Sequence, residues 1–250
     1  MQEEQCTFCV CTYNSADTLD RCLASVRALS KNSPLLVVDH HSGDSTLEIS
    51  KTYAAEILSE DTGLGRARQI CLDHTRTDYL IFVDSDVQII RRDFLSISER
   101  VLRSNREFGA IVGMAMGHRL TYGLPASLLA LRRDDFCEGK VVPDYIDARE
   151  TFFIQQRLDE LGLKTYYLMD AIRHTSKYRK FKPEWEGANT RLLPSPAYKE
   201  LPLALKVTIL LSFNSASLRN IVYIPIFYSK FLRGFANPKP WLKLKRKGDT

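Results

Sequence analysis

The chain has 250 residues, of which 44% are hydrophobic and 26% charged, and it can bury a full core as one domain or one and a half. Its six cysteines lie mainly inside apolar segments, and no second Cys/His pair has zinc-type spacing. These features argue against a fold held by disulfides and against a zinc site.

The charge of the chain is divided along its length. Residues 1–176 carry 20 Lys and Arg against 26 Asp and Glu, whereas residues 177–250 carry 15 against 4. A basic region beside an acidic body usually binds nucleic acid or an anionic membrane. The acidic start at residues 1–4 leads directly into a strand-like run without a secretory signal, so we expect a cytoplasmic protein.

Short apolar runs alternate with segments of helical spacing in the first third of the chain. The predicted elements are, in order, a strand at 7–12, a helix ending near Leu29, a strand at 35–39, a helix near 46–53, a strand at 55–58, a helix from 63 to about 74 and a strand at 79–83. This alternation predicts an α/β fold with a Rossmann-like, doubly wound, mostly parallel sheet.

Functional side chains occur near the carboxyl ends of these strands. Tyr13 follows the first strand, Asp39 ends the second, Arg68 lies in the third helix and Asp84 follows the fourth strand. Since open α/β sheets bind ligands at this rim, we expect the four side chains to share a crevice. The alternatives are packing for Tyr13, a turn cap for Asp39 and a surface ion pair for Arg68.

Two acids follow the buried run at 79–83. If the backbone stays extended, Asp84 and Asp86 point to the same side and present both carboxylates to one point. Such oxygen ligands suit Mg²⁺ or Mn²⁺ that also carries water and phosphate oxygens. The alternative is a solvated turn, since Asp-Ser-Asp is ordinary turn chemistry.

Signals are sparser beyond Asp86. The predicted elements are a helix at 94–102, a strand at 109–117, an uninformative stretch at 122–143, a helix that starts with the acids at 144–150, and a strand at 164–169. Asp144, Asp147 and Glu150 recur every three residues and would share a helix face, where their simplest role is a charge bias at the amino terminus. His174, beyond the last strand, is by default a structural residue.

Four ordered motifs resemble those of family 2 glycosyltransferases with the GT-A fold. They are Thr12-Tyr13-Asn14, residues 37–46 (VVDHHSGDST), residues 63–69 (GLGRARQ) and residues 82–86 (FVDSD). The resemblance implies a nucleotide-sugar donor, inversion at the anomeric carbon and a catalytic domain over residues 1–176. In that domain the donor would bind to residues 1–117 and the acceptor to residues 118–176.

The resemblance also implies roles for individual residues at the nucleotide. Tyr13 and Asp39 match the positions that hold the nucleobase, Thr12 lies beside them, and Arg68 matches a basic residue near the ribose and phosphates. An aromatic ring can stack on a base, and a guanidinium can pair with phosphate. The pair His40-His41 departs from the acid and glycine more usual in the family, which leaves the choice between UDP and GDP open.

The same resemblance implies a metal site and a catalytic base. Asp84 and Asp86 match the Asp-x-Asp element, and some relatives add a histidine ligand at the position of His174. An inverting transferase needs a base that removes the acceptor proton. The corresponding pair here is Arg149-Glu150, so Glu150 is the predicted base and Asp147 the second choice.

The last part of the chain combines apolar runs with cations. The runs at 201–213 and 221–228 are both shorter than the ~20 residues needed to span a bilayer. Interleaved aromatic and basic residues favour helices at the interface of an anionic membrane. A helical hairpin packed on the catalytic domain or in a homodimer is the alternative. Nucleic acid is disfavoured because these aromatics lie within apolar helices.

The sequence is compatible with three functions. The first is transfer at the cytoplasmic membrane surface to a lipid-linked acceptor, for example a polyprenyl phosphate, as in the dolichyl-phosphate mannose synthase-like branch. The second is transfer to a soluble or polysaccharide acceptor. The third is a catalytically silent nucleotide-sugar-binding subunit, against which the intact Asp84, Asp86 and Glu150 argue.

Overall fold

The computed structural model describes residues 5–115, 124–176, 182–214 and 218–242. The chain divides into two compact units. The first unit consists of Met1–Tyr145 and Glu150–Tyr178, and the second of Ile146–Arg149 and Arg179–Thr250. The four residues before Glu150 are therefore grouped with the carboxyl-terminal helices.

Strands and helices alternate in the first unit. Its elements are β1 (Cys6–Thr12), α1 (Ala16–Leu29), β2 (Leu35–Asp39), α2 (Thr46–Thr52), β3 (Glu56–Ser59), α3 (Leu64–His74), β4 (Tyr79–Val83), β5 (Val87–Ile89), α4 (Phe94–Ser104), β6 (Phe108–Ala115), β7 (Leu128–Arg132), α5 (Thr151–Glu160) and β8 (Lys164–His174). A 3₁₀ turn over Arg133–Asp135 follows β7.

These strands form one sheet in the order β3-β2-β1-β4-β7-β6-β8-β5. Pairing is parallel from β3 through β4 and between β6 and β8, whereas β7 is antiparallel to both of its neighbours and β5 is antiparallel to β8. The predicted α/β fold with a mostly parallel sheet is confirmed. Thr12 is in register with Asp39, so the loops after β1 and β2 leave the sheet side by side.

The core of the first unit lies on both sides of the central strands. All five residues of β2 and of β4 are buried, as expected for strands covered by helices on both faces. The small residues of β6 have a packing reason, because a Cβ on Gly113 would lie 2.6 Å from Leu128 Cδ2. Gly109 is crowded in the same way by Leu158.

The predicted helix over the acids at 144–150 is wrong, because α5 begins only at Thr151. The Oδ1 atom of Asn189 accepts hydrogen bonds from the backbone N–H groups of Asp147 (2.9 Å) and Ala148 (3.2 Å). Arg149 then adopts a left-handed φ of 62°, which ends any helical path through the segment. Tertiary contacts therefore override the helical spacing of the three acids.

The second unit is helical. Its elements are α6 (Pro183–Thr190), α7 (Ala197–Asn214), α8 (Leu218–Ala236) and α9 (Lys239–Leu242). Helices α6 and α8 approach closely, since a Cβ on Gly187 would collide with the carbonyl oxygen of Phe231. In the part of the chain that the structure describes, none of the helices has the length and apolar character needed to cross a bilayer.

Some sequence predictions concern residues outside the described ranges. They are the end of the predicted strand at 116–117 and, within the basic region 177–250, residues 177–181, 215–217 and 243–250.

Candidate active site

Asp39 organises the loop that follows β2. Its side chain is fully buried, and Oδ1 accepts hydrogen bonds of 2.6 Å from Thr12 Oγ1 and from Ser42 Oγ. Its other oxygen, Oδ2, accepts a 2.7 Å hydrogen bond from the Ser42 backbone N–H. The carboxylate thus ties β1, β2 and the following turn together, and its predicted contact with a nucleobase stays a prediction.

Tyr13 lies beside this loop with its ring largely in solvent. The side chain is 61% exposed, and its ring meets the His40 ring edge-on at a centroid distance of 5.3 Å. The backbone around it is fixed, because Asn14 N–H donates to Ser42 Oγ (2.8 Å) and Gly43 N–H donates to Asn14 Oδ1 (2.9 Å). An exposed aromatic ring on a fixed loop can stack on a planar ligand.

Arg68 is a buried cation in α3. Its Nη2 donates a 2.8 Å hydrogen bond to Asp84 Oδ1, its Nε lies 3.6 Å from Glu150 Oε1, and its guanidinium lies 4.6 Å from the centre of the Phe82 ring. Burial lowers the pKa of Arg68, but the charges of Cys11, Asp84 and Glu150 outweigh it and keep the guanidinium protonated. The Nε and Nη1 groups have no hydrogen-bond partner among the described residues.

Glu150 immediately precedes α5 and is buried. Burial raises the pKa of its carboxyl group, and the nearby Arg68 opposes that rise only in part. A carboxylate with a raised pKa is a better proton acceptor than an exposed one. The structure thus brings Arg68, Asp84 and Glu150 together, a grouping that the sequence predicted only for Arg68 and Asp84.

The backbone at Asp84 and Asp86 is not extended. The Val87 N–H donates a 3.0 Å hydrogen bond to the Asp84 carbonyl oxygen and closes a turn over these residues. The i, i+2 argument from an extended strand is therefore wrong here, and the two carboxylates have different partners. Asp84 pairs with Arg68, whereas Asp86 Oδ2 accepts a 2.7 Å hydrogen bond from Ser176 Oγ.

His174 ends β8 next to Asp86. Its Nδ1 lies 3.7 Å from Asp86 Oδ1, and both side chains are partly exposed. The neighbouring Thr175 N–H donates a 2.8 Å hydrogen bond to the Asp86 carbonyl oxygen, which fixes the end of β8 against the turn. The structure therefore brings these two predicted metal ligands together.

A carboxylate and an imidazole are suitable donors for a divalent cation. Across the described ranges, no group of three or more His, Cys, Asp or Glu side chains is close enough to form a metal site by itself. The residues fit an ion that takes its other ligands from water and phosphate, as Mg²⁺ commonly does.

Asp147 is in the second unit, where its backbone N–H is bound by Asn189. In the same unit, Arg149 donates a 2.7 Å hydrogen bond to the buried Glu200. The segment that carries the second candidate base is thus held by side chains of α6 and α7.

Three polar side chains near the carboxyl ends of the strands were not predicted from the sequence. Ser85 Oγ lies 3.0 Å from Ser15 Oγ, Ser176 bonds Asp86, and Glu60 Oε1 lies 2.6 Å from His40 Nδ1. The only available signal was for Ser85, which stands between the two acids of the FVDSD motif.

Comparison with known protein families gives one match. Residues 7–123 match the family model described as glycosyl transferase family 2. The resemblance to family 2 glycosyltransferases that the four motifs predicted is confirmed by this match. A comparison with curated protein sequences finds no match.

Solved structures with a similar fold include two kinds of glycosyltransferase. A mannosyltransferase from Pyrobaculum calidifontis in complex with GDP-Man and Mn²⁺ is 16% identical, with a TM-score of 0.66 over 92% of this chain and 85% of that chain. Glucosyl-3-phosphoglycerate synthase from Mycobacterium tuberculosis with Mg²⁺ and UDP is 17% identical, with a TM-score of 0.59 over 75% of this chain and 76% of that chain. At these identities the similarity shows the fold.

Proposed function

We propose that this chain is a metal-dependent, inverting glycosyltransferase that moves a sugar from a UDP- or GDP-sugar to a lipid-linked acceptor at the cytoplasmic membrane surface. The observation that carries its chemistry is the buried Arg68, which donates a hydrogen bond to Asp84 and lies 3.6 Å from Glu150. Two of its nitrogens, Nε and Nη1, have no hydrogen-bond partner among the described residues. A preformed cation of this kind suits a diphosphate leaving group.

The remaining rim residues suit the rest of a nucleotide sugar. Tyr13 stacks on the nucleobase, and Thr12 and Asp39 hold the loop beneath it. Asp86 and His174, with Asp84, hold Mg²⁺ or Mn²⁺ together with donor phosphates. When bound, the ion neutralises the charge that develops on the leaving nucleoside diphosphate.

Glu150 accepts the proton of the acceptor hydroxyl. Its raised pKa, which results from burial, favours this role. The acceptor oxygen forms its bond to the anomeric carbon as the bond to the diphosphate breaks, and Arg68 donates hydrogen bonds to the departing phosphate oxygens. A single displacement from the opposite face inverts the anomeric configuration.

The solved structures of similar fold support this donor class. The mannosyltransferase structure contains GDP-Man with Mn²⁺, and the synthase structure contains UDP with Mg²⁺. Since the two nucleotides differ, both UDP- and GDP-sugars belong in the donor screen. We expect one donor to give metal-dependent nucleotide release that stops with EDTA. Lack of release from every donor by the folded protein, with acceptor lipids present, would contradict the proposed activity.

The cations of the second unit support action at a membrane. Among the residues of this unit whose exposure the structure describes, seven Lys and Arg side chains are exposed: Lys182, Arg191, Lys199, Lys206, Lys230, Arg233 and Lys239. The aromatic residues of this unit should add less to membrane binding than their spacing in the sequence predicts. Phe231 stacks on Tyr228 and on Phe235, at centroid distances of 6.3 and 6.4 Å, so these rings already pack within the protein. Charge is therefore the main source of the proposed attraction to anionic headgroups.

We expect the triple variant Lys230→Gln, Arg233→Gln, Lys239→Gln to lose affinity for anionic liposomes. Each cation near such a surface contributes about 1 kcal/mol, so three removals should weaken partitioning by about 100-fold at low salt. Sedimentation with liposomes measures the effect. The matched control, Lys51→Gln, Arg76→Gln, Lys164→Gln, removes three exposed cations from the first unit. Equal binding of the two triple variants to liposomes would contradict the proposal that the second unit binds the membrane.

A soluble acceptor is the second candidate. It is favoured by the synthase from Mycobacterium tuberculosis, which is also solved with phosphoglyceric acid, at 18% identity and a TM-score of 0.57. Transfer to a small phosphorylated acceptor, together with no binding to anionic liposomes at low salt, would select this function over the lipid-linked one. The second unit would then serve another role, such as a homodimer contact, which a concentration-dependent mass in solution would reveal.

A further inference from the structure

His40 is fixed at the carboxyl end of β2 by two contacts of different kinds. Its backbone N–H donates a 2.9 Å hydrogen bond to the Thr12 carbonyl oxygen. Its ring nitrogen Nδ1 lies 2.6 Å from Glu60 Oε1. The imidazole therefore has a set orientation beside the exposed Tyr13 ring, although part of it still reaches solvent.

Glu60 is a rigid partner for this histidine. The residue is buried, and its second oxygen, Oε2, accepts hydrogen bonds from the backbone N–H groups of Thr62 (2.8 Å) and Gly63 (2.7 Å). Both oxygens are thus used, one for the loop before α3 and one for His40. In a neutral imidazole, a carboxylate at Nδ1 keeps the proton on Nδ1 and leaves Nε2 as an acceptor.

The neighbouring carboxylate, Asp39, already accepts several hydrogen bonds within the protein. Asp39 is fully buried and accepts three hydrogen bonds, from Thr12 and from the backbone and side chain of Ser42. His40 Nε2, by contrast, makes no hydrogen bond within the described residues. Beside the Tyr13 ring it is a fixed acceptor that remains available to a ligand.

We infer that His40 is a specificity-determining residue that accepts a hydrogen bond from the ring N–H of the donor nucleobase. The inference rests on the proposed function and deepens it. Uracil and guanine carry such a ring N–H at the pairing edge, whereas cytosine and adenine have an acceptor nitrogen there. The Glu60–His40 pair therefore selects UDP or GDP over CDP or ADP, and Glu60 acts as the positioning residue that sets the tautomer.

The test compares nucleotides with bases of equal size, UDP with CDP and GDP with ADP, by calorimetry with Mn²⁺. We expect wild type to prefer the base with the ring N–H by about tenfold, the effect of one hydrogen bond. His40→Asn keeps a donor for Glu60 but lacks Nε2, so it should lose this preference while its affinity for inorganic pyrophosphate stays unchanged. His74→Asn, on a histidine that pairs with Glu56 on the surface, is the matched control.

The variant Glu60→Gln should change the base preference, which a purely structural role of Glu60 would not do. The Gln oxygen can still accept from Thr62 and Gly63, while its NH₂ donates to His40 Nδ1 and moves the ring proton to Nε2. Preference should then shift toward CDP or ADP. A preference for UDP or GDP that survives in His40→Asn would overturn the inference alone. Failure of wild type to bind any nucleoside diphosphate would overturn the proposed function with it.

Discussion

Glu150→Gln is expected to lower turnover by a factor of about 10² or more while donor affinity stays close to that of wild type. The amide keeps the shape of the side chain and can still face Arg68 Nε, which lies 3.6 Å from Glu150 Oε1. It cannot accept the acceptor proton. Steady-state rates at saturating acceptor, with calorimetry of the nucleotide, separate the two effects.

The pH profile gives a second readout for the same variant. A base must be unprotonated, so the rate falls as the pH is lowered through its pKa. Since burial raises the pKa of Glu150, this acid limb should lie above the usual range of a glutamate and should be absent from the residual rate of Glu150→Gln.

The control for this variant is Glu138→Gln, which changes an exposed glutamate of the same unit and should have no effect. Near-normal turnover by Glu150→Gln with a hydroxyl acceptor would move the role of the base to Asp147 or elsewhere. With an acceptor that is already an anionic phosphate, a small effect is expected, because no proton has to be removed.

Asp86→Ala should abolish metal-dependent donor binding and leave the fold largely intact. The carboxylate lies near His174, with 3.7 Å between Asp86 Oδ1 and His174 Nδ1, and its side chain is 34% exposed. The contacts of its backbone carbonyl oxygen with Thr175 do not involve the side chain and persist in the variant. Calorimetry of UDP and GDP with Mn²⁺ measures the loss.

A substitution of Asp86 tests metal binding more cleanly than a substitution of Asp84. Removing the Asp84 carboxylate would take the 2.8 Å hydrogen-bond partner from the buried Arg68 and leave its charge poorly compensated, which costs stability. Ser176→Ala is the matched control for Asp86, since it removes only the hydroxyl that donates to Asp86 Oδ2. If Asp86→Ala keeps the Mn²⁺-dependent affinity of wild type, Asp86 is not a metal ligand.

Elements with a strong local pattern were predictable from the sequence. The runs at Leu35–Asp39 and Tyr79–Val83 are wholly apolar apart from the final Asp39, and the strands have these bounds in the structure. The three acids at 144–150 also have a helical spacing, yet Asn189 binds the backbone there and Arg149 is left-handed. Local periodicity carries no information about such a contact from a distant helix.

The candidate site was predictable in its members but not in its pairings. The four motifs identify Tyr13, Asp39, Arg68 and Asp84, because each follows or accompanies a strand end. The contacts of Arg68 with Glu150 and of His40 with Glu60 join residues far apart in sequence. They depend on how the loops meet at the rim, which no periodicity or spacing reveals.

The most direct test of the account is the affinity of the wild-type protein for UDP and GDP, measured by calorimetry with Mn²⁺ and again with EDTA. We expect one of the two nucleotides to bind with Mn²⁺ and chelation to weaken its binding by at least about tenfold, since Asp86 and His174 would hold the ion that neutralises the phosphates. Binding of neither nucleotide, or equal affinity with and without the metal, would contradict a metal-dependent donor site on this rim.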